Sequence, residues 1–445
     1  MNKFLELRKK YPEFIYEKYE IIEKEETYEI TFYFEIPKLT TFNPKLIIEK
    51  INITNKNINK EFINNIIFNI GMIELISYVK STCSKNIIIK CGYLDNEQID
   101  WFKKLYYNGL GEFLYRNNIE ITQEELFDIT TTGKKQNINI EYNGTGNLIP
   151  VGGGKDSNVT LELLKKQNNT CFIINPKGAN IECAKIAGYE NNTFSVKRIL
   201  DKKIIELNKE GFLNGHTPFS SIVAFTSYLC AYLSNKKYII LSNEDSANES
   251  TVLGTNVNHQ YSKTYEFEND FNEYTKKYFK INIKYFSLLR PLTEFQIGML
   301  FSKYEKYHPI FKSCNLGSKE ETWNWCNKCP KCLFVYIILS PFLYKEKLIN
   351  IFGKDLYEDK ELLETFEELL GFKESKPFEC VGTYGEVRYA VSLLITKLEK
   401  LPYLLQYYKD NYPLYLEEKY EKKFNNNNNL NEEFLKIVKD AINNV

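Results

Sequence analysis

Between Tyr28 and Ile36 the chain alternates apolar and polar positions. Tyr28, Ile30, Phe32, Phe34 and Ile36 fall on one side, and Glu29, Thr31, Tyr33 and Glu35 on the other, which predicts a strand of a small antiparallel sheet. From Glu61 to Lys80 the period lengthens, with Phe62, Ile66, Ile70, Ile73 and Ile76 at helical spacing. Asn86 to Cys91 reads as a strand and Gln98 to Tyr107 as a helix. Asn108-Gly109-Leu110-Gly111-Glu112 is a turn into another helical piece. Residues 118–145 are polar and contain Thr130-Thr131-Thr132-Gly133 and Asn143-Gly144-Thr145-Gly146, which marks a domain boundary. Beyond it, short apolar runs alternate with helical stretches, as in a parallel α/β sheet: strands at Leu148–Val151, Cys171–Ile174 and Tyr238–Leu241, a helix at Ser157–Lys166, and an almost wholly apolar helix at Phe219–Leu233. After Lys345 the pattern is mostly helical, and Asn425–Asn429 reads as a solvated loop.

Composition sharpens this outline. A chain of 445 residues exceeds one ordinary domain. The pattern divides it into an N-terminal α+β accessory domain (1–140), a nucleotide-binding α/β domain (141–300), and a cysteine-bearing, mostly helical C-terminal region (301–445). Lys and Arg together number 58, as do Asp and Glu, so no broad basic field exists to bind nucleic acid. Charges at Lys3, Glu6, Arg8, Lys9 and Lys10 fall where a secretory signal needs an apolar run. The longest continuous apolar stretch, Cys332 to Tyr344, contains Pro341 and falls short of the roughly 20 residues of a membrane span. The expectation is a cytoplasmic protein with no membrane partner, whose ten cysteines stay reduced.

The sharpest motif is Val151-Gly152-Gly153-Gly154-Lys155-Asp156-Ser157, on a strand-to-helix turn. Three glycines remove the Cβ atoms that keep a phosphate away from backbone N–H groups, and the helix start adds aligned donors. Lys155 and Ser157 can contact phosphate directly, and Asp156 can cap the helix or help hold a cation. The run is neither a Walker A loop, because Asp156 follows the lysine, nor a Gly-x-Gly-x-x-Gly turn. It resembles the pyrophosphate-binding Ser-Gly-Gly-x-Asp-Ser loop (PP-loop) of the ATP pyrophosphatases, with Gly152 in place of the usual Ser.

Cys326-x2-Cys329-x2-Cys332, with Cys314 twelve positions upstream, supplies four thiolates for one tetrahedral metal site. Zinc in a closed, structural role is the leading candidate, because no cysteine follows at the spacing an iron–sulfur cubane uses. The spacing resembles the zinc site of the 7-cyano-7-deazaguanine synthases. Of the three histidines, His308 sits beside Pro309 in no motif, and His216 lies just before the apolar helix. His259 lies in a polar stretch with Lys263. Directly after the third strand of the α/β unit come Ser242, Asn243, Glu244 and the polar residues as far as Glu249 and Ser250. A strand end of this kind forms a site wall in open α/β sheets.

Taken together, these runs resemble the UDP-N-acetyl-α-D-muramoyl-L-alanyl-L-glutamate epimerases of the MurL type. The motifs that carry the resemblance are Gly152–Ser157, Gly215-His216-Thr217-Pro218-Phe219-Ser220, Leu241–Glu244 with Ser246–Glu249, Val257–Lys263, Trp325–Cys332 and Lys376–Thr383. Gly71–Glu74 and Gly109–Glu112 also match, so the resemblance runs from about residue 68 to 390. It implies inversion of the terminal L-Glu of a UDP-muramoyl dipeptide to D-Glu in peptidoglycan precursor synthesis. ATP, with Mg2+, would go to AMP and pyrophosphate through an acyl-adenylate. The implied nucleotide-binding residues are Gly152, Gly153, Gly154, Lys155, Asp156, Ser157, Asn243 and Glu244. Inversion needs a proton acceptor and a donor on opposite faces. The candidates are His216, Glu249, His259, Lys263 and Cys380, with Arg290 or Arg388 as donors to the UDP-sugar. The competing readings are another PP-loop adenylating enzyme, of amide, nitrile or tRNA-thiolation chemistry, and a non-catalytic nucleotide-binding scaffold.

Overall fold

The structure, a computed structural model, describes residues 3–135, 138–252, 254–255, 257–314, 316–317 and 324–444. Among them are eleven strands: β1 (Glu13–Glu23), β2 (Thr27–Ile36), β3 (Thr40–Phe42), β4 (Lys45–Glu49), β5 (Asn86–Ile89), β6 (Asp128–Thr131), β7 (Asn147–Pro150), β8 (Asn169–Ile174), β9 (Thr193–Ile199), β10 (Tyr238–Leu241) and β11 (Lys284–Ser287). All belong to one mixed sheet in the order β11-β10-β7-β8-β9-β4-β2-β1-β5-β6, with β3 on β2. β9, β8, β7, β10 and β11 run parallel, as the alternation of short apolar runs and helices predicts. The chain begins this half in the middle with β7 and builds outward in both directions. The order therefore reverses between β7 and β10, the kind of switch point at whose carboxyl strand ends ligands of open α/β sheets bind.

Alternate residues of the parallel strands feed two cores. Leu148, Phe172, Ile239 and Tyr285 join a cluster with the N-terminal half, and Ile149, Ile173, Ile240 and Phe286 join one with the C-terminal helices. The alternation read from Tyr28 to Ile36 holds in β2, where Ile30, Phe32, Phe34 and Ile36 are buried, and β1, β3 and β4 are its antiparallel partners. β4 also pairs with β9, so hydrogen bonding runs unbroken from the N-terminal strands into the parallel half. The polar segment after residue 118 contains β6, a parallel edge strand beside β5. A buried bidentate ion pair, Arg198 to Glu74 at 2.8 Å through both Nε and Nη2, ties β9 to the helix Lys60–Glu74.

From residue 301 onward the described elements are helical. Among the described residues the longest apolar helical stretch is Lys60–Val79, which polar residues interrupt, so it is not a continuous apolar run like Cys332–Tyr344. By length and composition it could cross a membrane, but 83% of its most apolar window is buried inside the protein. The five-asparagine run is a loop with Asn426, Asn427 and Asn429 exposed, tethered to the sheet half where Asn425 Nδ2 donates to Asp245 and Asn429 Nδ2 donates to Glu268 at 2.8 Å.

Candidate active site

The glycine turn follows β7 and leads into the helix Lys155–Leu163, whose N-cap is Gly154; Asp156 therefore sits in the first turn and does not cap. Each glycine has a different environment. Gly153 has φ +84°, and a Cβ there would lie 2.7 Å from the Asn180 backbone nitrogen. A Cβ on Gly154 would meet Ser313 Oγ at 2.7 Å, whereas one on Gly152 would meet nothing within 4 Å. The turn is thus packed on one side and open at Gly152. Ser157 Oγ donates to the Gly154 carbonyl at 3.0 Å.

Lys155 does not reach outward. Its fully buried ammonium lies between Asp156 and Glu294 and donates to both. Asp156, Glu244 and Glu294 follow β7, β10 and β11, three neighbouring parallel strands, and one oxygen of each lies within 4.8 Å of the others. Burial opposes every charge in this group. Burial raises the Glu294 carboxyl, while Asp156 is held low against its own burial by Lys155, Lys331 and Lys263. Glu294 Oε1 is buried without a hydrogen-bond partner, and the Glu294 backbone N–H donates to Glu386 at 2.6 Å. Asn243, half-buried beside Glu244, takes part through its backbone carbonyl, which accepts from Ser287 Oγ.

The second group of side chains centres on Cys380, which is half-buried. Lys263 Nζ donates to its sulfur at 2.9 Å, Lys331 Nζ donates to its carbonyl, and His259 is near enough for its charge to act on the thiol. Burial alone would raise this thiol, but Lys263, His259 and Lys331 bring it down to about 6. His259 Nδ1 lies 2.5 Å from Glu112 Oε2, and the His216 ring stands 4.2 Å from the His259 ring. Burial lowers His259, yet Cys380 and Glu112 lift it to about 9. Burial and the charge of His259 push His216 down to about 3, so it is neutral. Lys263 links the two groups, because its ammonium is held charged against burial by Cys380, Glu244 and Asp156 together.

Of the residues singled out from sequence, His216, His259, Lys263, Cys380, Lys155, Asp156 and Glu244 converge here. Glu249 is drawn into an ion pair with the buried Lys376. Arg290 is no donor to a ligand: it is fully buried and spends its guanidinium on the Glu244 and Lys263 carbonyls, at 2.8 and 2.6 Å, and on Glu268. Arg388 donates to the Leu370 carbonyl at 2.6 Å and stacks on Phe372. His308 is buried, with Nε2 donating to the Phe301 carbonyl at 3.3 Å. Sequence reading missed Glu112, Glu294, Lys331 and Lys376 as site residues. Glu112 lay inside a recognised run, and Lys331 stands between two of the clustered cysteines.

The four clustered sulfurs, of Cys314, Cys326, Cys329 and Cys332, all lie within 4.8 Å of one another, with separations of 3.8, 3.6 and 3.5 Å for the pairs 314–329, 326–332 and 329–332. A tetrahedral zinc with Zn–S of about 2.3 Å requires edges of about 3.8 Å, so the donor set fits. Gly317 N–H donates to Cys314 Sγ at 3.1 Å, and the Lys328 and Cys329 N–H groups donate to Cys326 Sγ at 3.4 and 3.3 Å, as suits thiolate acceptors. This knuckle starts the helix Pro330–Leu339 and so places Lys331, whose N–H donates to Glu379 at 2.9 Å, beside the Cys380 loop.

Comparison with known proteins fits this arrangement. A UDP-N-acetyl-alpha-D-muramoyl-L-alanyl-L-glutamate epimerase of Xanthomonas oryzae pv. oryzae (strain MAFF 311018) is 34% identical over 338 residues, 74% of each chain. Proteins of the same name from Micromonospora sp. (strain ATCC 39149 / NRRL 15099 / SCC 1413) and Salinispora tropica (strain ATCC BAA-916 / DSM 44818 / JCM 13857 / NBRC 105044 / CNB-440) are each 32% identical over 325 residues. Those matches cover 72% of this chain and 72% and 70% of the relatives. No solved structure gives a significant match. The MurL N-terminal domain model matches residues 6–288 and the MurL C-terminal domain model residues 310–413. With both halves of the site, the glycine turn and the Cys380 loop, lying inside those two matches, the chain belongs to the MurL family.

Proposed function

We propose that this chain inverts the terminal L-Glu of UDP-N-acetylmuramoyl-L-Ala-L-Glu to D-Glu in peptidoglycan precursor synthesis, at the expense of ATP, which yields AMP and pyrophosphate. The nucleotide site is of the PP-loop type and the reaction is cytoplasmic. The observation that carries this reading is Lys263, which touches the Cys380 sulfur and is held charged by Asp156 and Glu244, so a nucleotide-type crevice and a proton-transfer group share one site. The names of the relatives supply the substrate. An α-proton beside a carboxylate is hardly acidic, because the carbanion would adjoin a full negative charge. In the proposed course, a substrate carboxylate oxygen attacks the α-phosphorus of ATP, the bond to the bridging oxygen breaks, and pyrophosphate leaves. The Cys380 thiolate then takes the α-proton: an S–H bond forms, and the C–H electron pair passes into the acyl group. A proton delivered to the opposite face sets the D configuration, and water attacks the acyl carbon, releasing AMP.

The glycine turn and the N-terminus of the helix Lys155–Leu163 would hold the phosphates. Asp156, Glu244 and Glu294 form an oxygen set that suits Mg2+, and the unpartnered Glu294 Oε1 is ready to serve it. When bound, the ion offsets phosphate charge. The four cysteines would hold a structural zinc. The deciding experiment is a pyrophosphate-release assay with the UDP-muramoyl dipeptide, followed by chiral analysis of the hydrolysed product. Pyrophosphate together with D-Glu is the expected result. Pyrophosphate without inversion would assign another adenylate-using activity, and no pyrophosphate would leave a nucleotide-binding scaffold.

A further inference from the structure

Glu112 enters the site on the short helix Gly111–Arg116, from the N-terminal half of the chain. It is buried, and its two oxygens have different partners: Oε1 accepts from Arg116 Nε at 2.7 Å, while Oε2 lies 2.5 Å from His259 Nδ1 and 3.7 Å from His216 Nδ1. Two imidazolium charges on rings 4.2 Å apart would repel, so only one ring holds the extra proton, and the nearer carboxylate oxygen selects His259. The 2.5 Å separation is that of a hydrogen bond. Glu112 and His259 are thus paired directly with each other.

We propose that Glu112 is a positioning residue for proton transfer at Cys380, acting through His259 to fix the cationic side of a thiolate–imidazolium pair. The proposal rests on the reading of Cys380 as the proton acceptor. His259 and Lys263 come from the segment before the helix Tyr265–Tyr278, and Lys331 comes from the helix Pro330–Leu339. Behind His259 stand Glu112, Arg116 and neutral His216, and behind Lys263 stand Asp156 and Glu244. Lys263 donates to the sulfur at 2.9 Å, and Lys331 adds charge from beside the carbonyl of the same residue. His259 is held in one orientation by Glu112, and its charge acts on the nearby thiol. The depressed Cys380, near 6, and the elevated His259, near 9, are what such a pair produces.

The test follows iodoacetamide alkylation of Cys380 against pH, by peptide mass spectrometry, in the full-length wild type, Glu112→Gln and Glu112→Asp. The wild type is expected to show a midpoint near 6. Glu112→Gln should move it upward toward the ordinary thiol range, slowing alkylation at pH 6.5 about fivefold, and Glu112→Asp should restore part of the loss. A folded Glu112→Gln protein with the wild-type midpoint overturns the proposal, as does a wild-type midpoint at the ordinary thiol value. If Glu112→Gln fails to fold by circular dichroism, His259→Asn takes its place: it removes the imidazole and leaves the Glu112–Arg116 pair, and an unmoved midpoint again overturns the relay. Alkylation needs no substrate, so the two readings fail separately. A shifted midpoint in a protein that never epimerises retires the proposed function and keeps the relay, while epimerisation with an unshifted midpoint does the reverse.

Discussion

Two adjacent glycines separate the stability of the glycine turn from the phosphate-binding role proposed for it. Gly153 has φ +84°, and a Cβ there would lie 2.7 Å from the Asn180 nitrogen and 2.8 Å from the Ala179 carbonyl carbon, both backbone atoms that cannot swing aside. The left-handed conformation costs an L-residue about 1–2 kcal/mol, and overpacking against fixed atoms adds about 1–3 kcal/mol. Gly153→Ala is therefore expected to lose about 2–5 kcal/mol of stability in urea unfolding. At Gly152 a Cβ meets no heavy atom within 4 Å, so Gly152→Val should unfold within about 1 kcal/mol of the wild type. The open space at Gly152 is where a phosphate would approach the backbone, and the valine side chain would occupy it. ATP affinity measured by calorimetry should fall tenfold or more, which corresponds to about 1.4 kcal/mol. A folded Gly152→Val protein that binds ATP like the wild type would refute the phosphate role of the turn. A Gly153→Ala protein as stable as the wild type would refute the packing described for it.

Four further outcomes are expected. Glu74→Ala leaves the Arg198 guanidinium buried and unpaired, and should cost about 3–5 kcal/mol in urea unfolding, whereas a loss below about 1 kcal/mol would show that the pair is solvated. Zinc determined by elemental analysis should be one per chain in the wild type and largely absent in Cys329→Ser, and equal zinc in both would remove the four-cysteine assignment. The working form of the proposed pair has Cys380 deprotonated and His259 protonated. Epimerisation kcat/KM should accordingly rise as pH passes about 6 and fall as it passes about 9, and a profile flat across either limb contradicts the assignment. Removing Mg2+ with EDTA should abolish pyrophosphate release without altering Cys380 alkylation; release that persists would exclude the Asp156, Glu244 and Glu294 oxygens from that role.

Much of the fold was legible wherever a single element carried its own period. The helix Phe219–Leu233 and the strand Tyr238–Leu241 fall where the apolar runs begin and end, because a fully buried element needs no partner to announce it. β6, β9 and β11 escaped notice. β6 and β11 are four residues long without the continuous apolar run that marks Tyr238–Leu241, and β6 lies among polar residues at the sheet edge. β9 has only Phe194 and Val196 buried among polar neighbours. The four cysteines were legible for a different reason: three are local in sequence, and thiolates at that spacing have few other uses.

By itself the sequence determined which chemical groups were available: a glycine turn before a helix, a thiolate cluster, a cysteine, two histidines and a lysine in recognisable runs. Tertiary structure alone decided which of them meet, and in what charge state. His259 and Glu112 are 147 positions apart, and Lys155 and Glu294 are 139 apart, separations over which no local pattern specifies a partner. Folding turned Lys155 inward, consumed Arg290 in the scaffold and set Cys380 against Lys263 and His259. An ionisation state is a sum of burial and nearby charge, and both exist only once distant segments have packed together.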